Sequence, residues 1–175
     1  MDRSMRRSAA LAIGAGLLGG VVLAISRAML RRPHVRLEIN KETSLSPEAV
    51  IGQVTAVQKE PDLIPFVKAV EVLEQDLNSV RYIVRGSTFG VPWCMRYNKS
   101  WDYESGTVRW FSEQGSYGLR NVGRLRVDVQ PSGNVIRLAT GYSVDYPGVG
   151  RTMEALIRPI LSYAFGRWLD RISRP

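Results

Sequence analysis

Between Val67 and Val144 apolar residues recur at every second position, and from Arg151 onward they recur at helical spacing. A period of two marks a strand with one buried face, and a long run of it cut by turn signals implies sequential strands. Val67–Gln75 is one such run, and Val80–Thr88 is another, with Tyr82 and Val84 opposed to Arg81 and Arg85. Pro92–Glu104 is the clearest: Trp93, Met95, Tyr97, Trp101 and Tyr103 share a face broken by Lys99, and Arg96, Asn98, Ser100, Asp102 and Glu104 take the other. The turn signal Ser105-Gly106 leads into Val108–Glu113, where Val108 and Trp110 share a face. Leu125, Val127 and Val129 alternate with charged residues. Pro131–Asn134 is a tight turn, and Ile136, Leu138, Thr140, Tyr142 and Val144 form a last strand. Short loops between sequential strands imply an antiparallel meander.

Two elements precede the meander. His34–Thr43 alternates, with Val35, Leu37 and Ile39 on one face. Ser46-Pro47-Glu48 is a helix start, combining an N-cap, a proline at the first helical position and an acid in the first turn. That helix carries Val50, Ile51, Val54 and Val57 and ends before Pro61, and Glu60–Pro65 makes a turn or a second short helical piece. After Pro147-Gly148-Val149-Gly150 the spacing predicts one helix over Arg151–Ile172, bent at Pro159. Its stripe is Met153, Leu156, Ile157, Ile160, Ala164, Trp168 and Ile172, widened by Leu161, Phe165 and Leu169.

A sheet with one apolar face needs a cover, and the last helix is the one element long and apolar enough. The fold class is therefore α+β, with a curved antiparallel sheet of six or seven strands wrapped on a long C-terminal helix. A space between the two suits an apolar ligand. The residues expected around it are Tyr82, Val84, Trp93, Met95, Tyr97, Lys99, Trp110, Leu138, Tyr142, Met153, Ile157 and Ile160.

The N-terminus reads differently. Ser8–Ser26 is nineteen residues without a charge, about 28 Å as a helix and close to the hydrocarbon thickness of a bilayer. Arg3, Arg6 and Arg7 precede it, and Arg27, Arg31, Arg32 and Arg36 follow. The expected organisation is a basic flank (1–7), a transmembrane anchor helix (8–26), a basic linker (27–33) and a globular domain (34–175). A cleaved signal peptide ending at Ala24-Ile25-Ser26 and a mitochondrial targeting segment are the alternatives. Gly16 and Gly20 form a G-x-x-x-G pair through which two such helices could dimerise. The expected location is a bacterial plasma membrane or a mitochondrial inner membrane, with the domain on the cytoplasmic or matrix side. The flanking charges almost balance, so they fix orientation poorly.

The net charge of +8 invites a nucleic-acid reading, but residues 1–36 hold seven Arg and one Asp, whereas residues 37–175 hold seventeen Lys/Arg against fifteen Asp/Glu. The domain is thus nearly balanced, and no nucleic-acid partner is expected. One Cys (Cys94) excludes an intrachain disulfide or a cysteine zinc cluster, and one His (His34) excludes a multi-histidine metal site. Cys94 lacks an evident activating base and reads as structural or exposed. Gly148-x-Gly150 before a helix could hold an anion but lacks phosphate-loop spacing, and reads as a strand-to-helix turn. Lys99 has two readings. It either points inward to meet a carboxylate, phenolate or quinone oxygen, or marks where the strand leaves the core with its head in water; the second is the expectation. Tyr82, Tyr97 and Tyr142 are able to donate to a ligand carbonyl or to serve as amphipathic packing. The strand acids fall mostly opposite the aromatics, which counts against acid–base catalysis unless loops supply the groups.

"LSPEAVIGQVTAVQKEPDLIPFVKAVEVLEQ" at Leu45–Gln75 and "RTMEALIRPILSYAFGRWLDRI" at Arg151–Ile172 resemble the opening and the terminal helix of the START-related helix-grip superfamily (SRPBCC). The similarity is greatest to its polyketide cyclase/dehydrase and coenzyme Q-binding branch. Asp62, Pro65, Phe66, Val67, Val70 and Val72 carry it in the first segment. The resemblance covers about residues 35–173 in diffuse apolar patterns, which bear on fold more than on activity. It implies a lipid, isoprenoid quinone or polyketide-like aromatic held between sheet and helix without a cofactor. The alternative it implies is a cyclase/dehydratase acting on a polyketide-like substrate.

Overall fold

The computed structural model describes residues 34–144 and 150–174, with the side chains of 144 and 150–153 left out of that description. The expected anchor, the linker, Gly16, Gly20 and the Pro147–Val149 turn lie outside the described residues. Among the described residues no helix is long and apolar enough to cross a membrane.

Seven strands form one antiparallel sheet: β1 (His34–Thr43), β2 (Val67–Gln75), β3 (Ser79–Thr88), β4 (Val91–Asp102), β5 (Thr107–Gly115), β6 (Leu119–Gln130) and β7 (Gly133–Val144). Their order is β1-β7-β6-β5-β4-β3-β2, so β2 to β7 form the meander and β1 closes its far edge against β7. Register shifts in β2 and between Arg96 and Tyr97 of β4 bend the sheet, as bulges do. The helices are α1 (Pro47–Thr55), α2 (Glu60–Leu63) and α3 (Gly150–Ile172). Ser46 caps α1 by accepting the Ala49 N–H at 3.3 Å, which bears out the helix start read from its sequence. Several strands run longer than the alternation indicated. β6 begins at Leu119, six residues before its first core leucine, and the alternation does not show it because the inward positions there are the buried Asn121 and Gly123, which carry no apolar side chain.

The concave face divides in two. At one end α1 lies on β4, β5 and β6, and its Val50, Ile51 and Val54 belong to one core cluster with Leu125, Ile136 and Leu138, all essentially inaccessible. The C-terminal turns of α3 are tied down beside them. Lys41 Nζ meets Asp170 at 2.7 Å, the Thr43 hydroxyl donates to the Ser173 carbonyl at 2.9 Å, and the Arg171 guanidinium donates to the Asp62 carbonyl. Towards its N-terminus α3 is tied to the edge of the sheet, the His34 N–H donating to Glu154 Oε1 at 2.9 Å, and Ile157, Ile160 and Leu161 are half-buried.

Three expectations fail here. Val129, read with Leu125 and Val127 as one buried face, is 72% exposed, because β6 runs out beyond the core into its turn with β7. Tyr103 is exposed, because the chain leaves β4 at Asp102, whose carboxylate accepts the Glu104 N–H at 3.0 Å and starts the turn. Leu156 is 59% exposed, because the buried stripe of α3 runs through Ala164, Phe165, Trp168, Leu169 and Ile172 and leaves it on the outer side.

Candidate functional site

The unpacked end of the concave face encloses a cavity of about 470 Å³ between β3–β7, the segment after α2, and α3. Ten of the twelve expected residues line it: Tyr82 and Val84 from β3, Trp93, Met95, Tyr97 and Lys99 from β4, Trp110 from β5, Tyr142 from β7, and Ile157 and Ile160 from α3. Leu138 does not. It sits four residues before Tyr142 on β7, opposite Leu125 and Ile39, in the packed core with Val50, Ile51 and Val54. The side chain of Met153 lies outside the described residues.

Two tryptophans shape the wall through glycines directly across from them. Gly86 faces Trp93 on β4, and Gly123 on β6 faces Trp110 on β5. A Cβ at either glycine would fall inside the facing indole. The missing side chain therefore lets each ring lie flat against the sheet, keeping the wall thin. Each indole N–H is satisfied, Trp93 donating to the Thr88 hydroxyl at 3.0 Å and Trp110 to Asn121 Oδ1 at 2.9 Å. Asn121 in turn donates to the Thr140 hydroxyl (2.9 Å) and the Gly141 carbonyl (3.0 Å), so this buried amide is fully engaged. Trp168 and Phe165 of α3 close the other wall, Trp168 edge-on to Trp110 with ring centroids 6.0 Å apart.

Lys99 corrects the sequence reading. Its side chain points inward and is buried, and its ammonium donates to Glu60 Oε1 at 2.6 Å and to the Val54 carbonyl at 3.0 Å. Val54 lies in the last turn of α1, where carbonyls lack helical partners and the helix dipole favours a cation. Glu60, the first residue of α2, brings its buried carboxylate across the concave face and also accepts the Tyr82 hydroxyl at 3.0 Å. The ammonium stands 5.2 Å from the Tyr82 ring centroid. An inward lysine is held because a carboxylate meets it; the sequence signal was an acid in a proline-rich turn, which has no periodicity to betray it. Asn121, Trp168 and Phe66 were likewise absent from the expected lining; Trp168 lay in the helical stripe, Phe66 entered through the family resemblance alone, and Asn121 lay outside every apolar pattern.

Tyr82 and Tyr97 are buried and Tyr142 half-buried around this pair. Tyr82 and Tyr97 are directly opposed on β3 and β4, their rings stacked at 5.6 Å. All three hydroxyls are pushed up from the ordinary tyrosine range, above all by burial. The Glu60 charge adds to the effect at Tyr82, and the neighbouring Tyr142 adds to it at Tyr97. They are hydrogen-bond donors, not phenolates, at neutral pH. The site thus combines apolar walls with a lysine, a carboxylate and hydroxyls that face one another across the concave side. It can enclose an apolar body and meet an oxygen function on it.

Other candidates stand apart. Cys94 is a free, half-buried thiol on β4, and the sole histidine is on β1, at the far edge of the sheet beyond β5, β6 and β7. His34 Nε2 accepts from Arg36 Nε at 3.1 Å. The Gly148–Gly150 turn falls at the edge of the described residues.

No protein-family model matches the sequence, and no curated protein sequence matches it. Solved structures do match. The protein TTHA0849 from Thermus thermophilus superposes with a TM-score of 0.68 at 20% identity over 81% of this chain and 94% of that one. The Zhui aromatase/cyclase from Streptomyces sp. R1128 gives 0.58 at 14% identity over 82% and 87%. A START superfamily protein from Mycobacterium smegmatis gives 0.63 at 14% identity over 78% and 96%. The fold is the START-type helix-grip fold, as the resemblance in the sequence implied.

Proposed function

We propose that this START-type domain binds a hydrophobic small molecule, a lipid, isoprenoid quinone or polyketide-like aromatic, between its sheet and C-terminal helix, and that Ser8–Ser26 holds it at a membrane. The observation that carries the binding reading is the half-open cavity of about 470 Å³ with nearly all-apolar walls, a size typical of small-molecule sites. A filled core would have closed it, because interiors pack to crystal-like density. The Lys99–Glu60–Tyr82 cluster would take a carbonyl or hydroxyl of the ligand while Trp110, Phe165 and Trp168 enclose its apolar part. The anchor rests on sequence alone: nineteen uncharged residues between basic flanks. Such ligands partition into bilayers, so a tether would keep the site near its supply.

A second reading, a cyclase or dehydratase, gains from one observation. Glu60 and Lys99 are acid–base groups inside the cavity, supplied by the short helix α2 and by β4. The aromatase/cyclase among the structural neighbours is consistent with that reading. Titration with decylubiquinone, followed by quenching of the cavity tryptophans, tests binding. Saturation near one equivalent supports it, and quenching that rises linearly without saturation refutes it for quinones. Chemical turnover of a poly-β-ketone mimic, lost in Glu60→Gln, would move the assignment to the enzyme.

A further inference from the structure

The cavity reaches the surface at one end of the sheet, where β1, β2, β4 and β6 begin and β3, β5 and β7 end. Val91 and Tyr117 line it there, and each is 53% exposed. Three loops meet at this mouth, and each places an aromatic residue in the left-handed region: Phe66 (φ 74), Phe89 (φ 51) and Tyr117 (φ 58). Among the described residues these are the non-glycine positions with positive φ. Phe89-Gly90 is a two-residue loop between the paired Thr88 and Val91, with φ positive at both residues. Loops of that form favour Asn or Asp at the first position, whose short polar side chains tolerate the conformation; a phenylalanine there is strained. Phe89 is also 83% exposed, so the core does not explain it. Tyr117-Gly118 repeats the pattern in the next loop, with the Tyr117 hydroxyl donating to the Pro92 carbonyl of the Phe89 hairpin at 3.1 Å. Leu156 and Tyr163 extend the apolar rim along the outer side of α3. Turn chemistry and burial both argue against large aromatics here, and an apolar phase outside the protein accounts for them.

The route of the chain identifies that phase. His34 opens β1 at this same end, and only residues 27–33 separate it from Ser8–Ser26. Seven residues span at most about 25 Å. β1 and β4 are four strand spacings apart, about 19 Å. A bilayer that takes Ser8–Ser26 therefore lies within a linker's length of the rim, whereas the opposite end of the ten-residue β3 is about 33 Å further away.

We infer that Phe89, Val91 and Tyr117, with Leu156 and Tyr163, seat in the headgroup–acyl boundary of the membrane that holds Ser8–Ser26, so that the cavity opens onto the lipid phase. This rests on the anchored-binder reading above. The test uses the full chain reconstituted in vesicles of phosphatidylcholine and phosphatidylglycerol. In a Cys94→Ser background, an environment-sensitive NBD label is placed by Phe89→Cys or Tyr117→Cys, and by Leu77→Cys as the control. Leu77 is 89% exposed but sits on the β2–β3 hairpin at the far end. The expected result is blue-shifted emission at 89 and 117, with quenching by nitroxide-labelled lipid at least threefold stronger than at 77. Equal, weak quenching at all three sites in vesicles that still carry the protein would overturn the docking and leave the anchor standing. Failure of the chain to float with the vesicles would overturn both.

Discussion

Replacing Lys99 by methionine removes the cation from a pair in which both side chains are buried, at 4% and 7% exposure. Methionine keeps much of the stem's packing, so the loss is electrostatic. Glu60 would then keep the Tyr82 hydroxyl at 3.0 Å but lose its contact of 2.6 Å, and the Val54 carbonyl would lose its donor. Breaking one side of a buried pair costs about 3–5 kcal/mol. The remaining Tyr82 bond places this variant near the lower end, about 3 kcal/mol, or roughly 6–12 °C in Tm for a chain of this size. Glu60→Leu strands the ammonium and should cost about as much. Independent losses would sum to about 6 kcal/mol in Lys99→Met/Glu60→Leu. The double variant should instead lose about 2 kcal/mol, because it buries no charge and leaves unpaired only the Val54 carbonyl and the Tyr82 hydroxyl. Urea unfolding followed by tryptophan fluorescence gives all four corners of the cycle. Additive losses, or a Lys99→Met cost under about 1 kcal/mol, would refute the buried-pair account.

Four further outcomes follow from the same geometry. Val84→Trp fills the cavity from a lining position and should cost little stability while abolishing ligand uptake. Leu138→Trp overpacks the closed half and should lose about 1–3 kcal/mol or more, both read by urea unfolding. Gly123→Ala drives a methyl into the Trp110 indole and should cost about 1–3 kcal/mol, with a changed tryptophan emission; an unchanged spectrum and stability would contradict the flat packing of that ring. Because the fold keeps the hydroxyls of Tyr82, Tyr97 and Tyr142 protonated, the unfolded chain binds fewer protons above about pH 10. Stability is thus complete below that pH and falls above it, by up to about 4 kcal/mol per pH unit. Tyr142→Phe should reduce that slope by about a third in unfolding curves taken between about pH 9 and 12.

The architecture was legible because it is written in periods. Alternation through Tyr82, Val84, Met95, Tyr97 and Trp110 puts these side chains on one face, and one helix is available to cover them. Cavity and packed core could not be told apart that way, since Leu138 and Tyr142 share one alternation, yet Leu138 is packed in the core and Tyr142 lines the hollow. What separates them is which stretch of the concave face is filled, a tertiary fact. Lys99 reads wrongly from sequence for a related reason. An isolated lysine on an apolar face favours water, and its partner Glu60 lies 39 residues away in a turn without periodicity. Phe89 and Tyr117 were silent because their meaning lies in backbone angles that no residue pattern displays.

The central claim is that the hollow half of this domain holds a hydrophobic molecule. The most direct measurement is mass spectrometry of organic extracts from the full chain and from its Val84→Trp variant, purified side by side in one detergent. Lipid bound anywhere outside the cavity is common to both, so the difference reports the cavity. The account predicts one apolar compound near one equivalent per chain in the unaltered protein, depleted at least fivefold in a variant that still unfolds cooperatively. Identical extracts from the two proteins would contradict it.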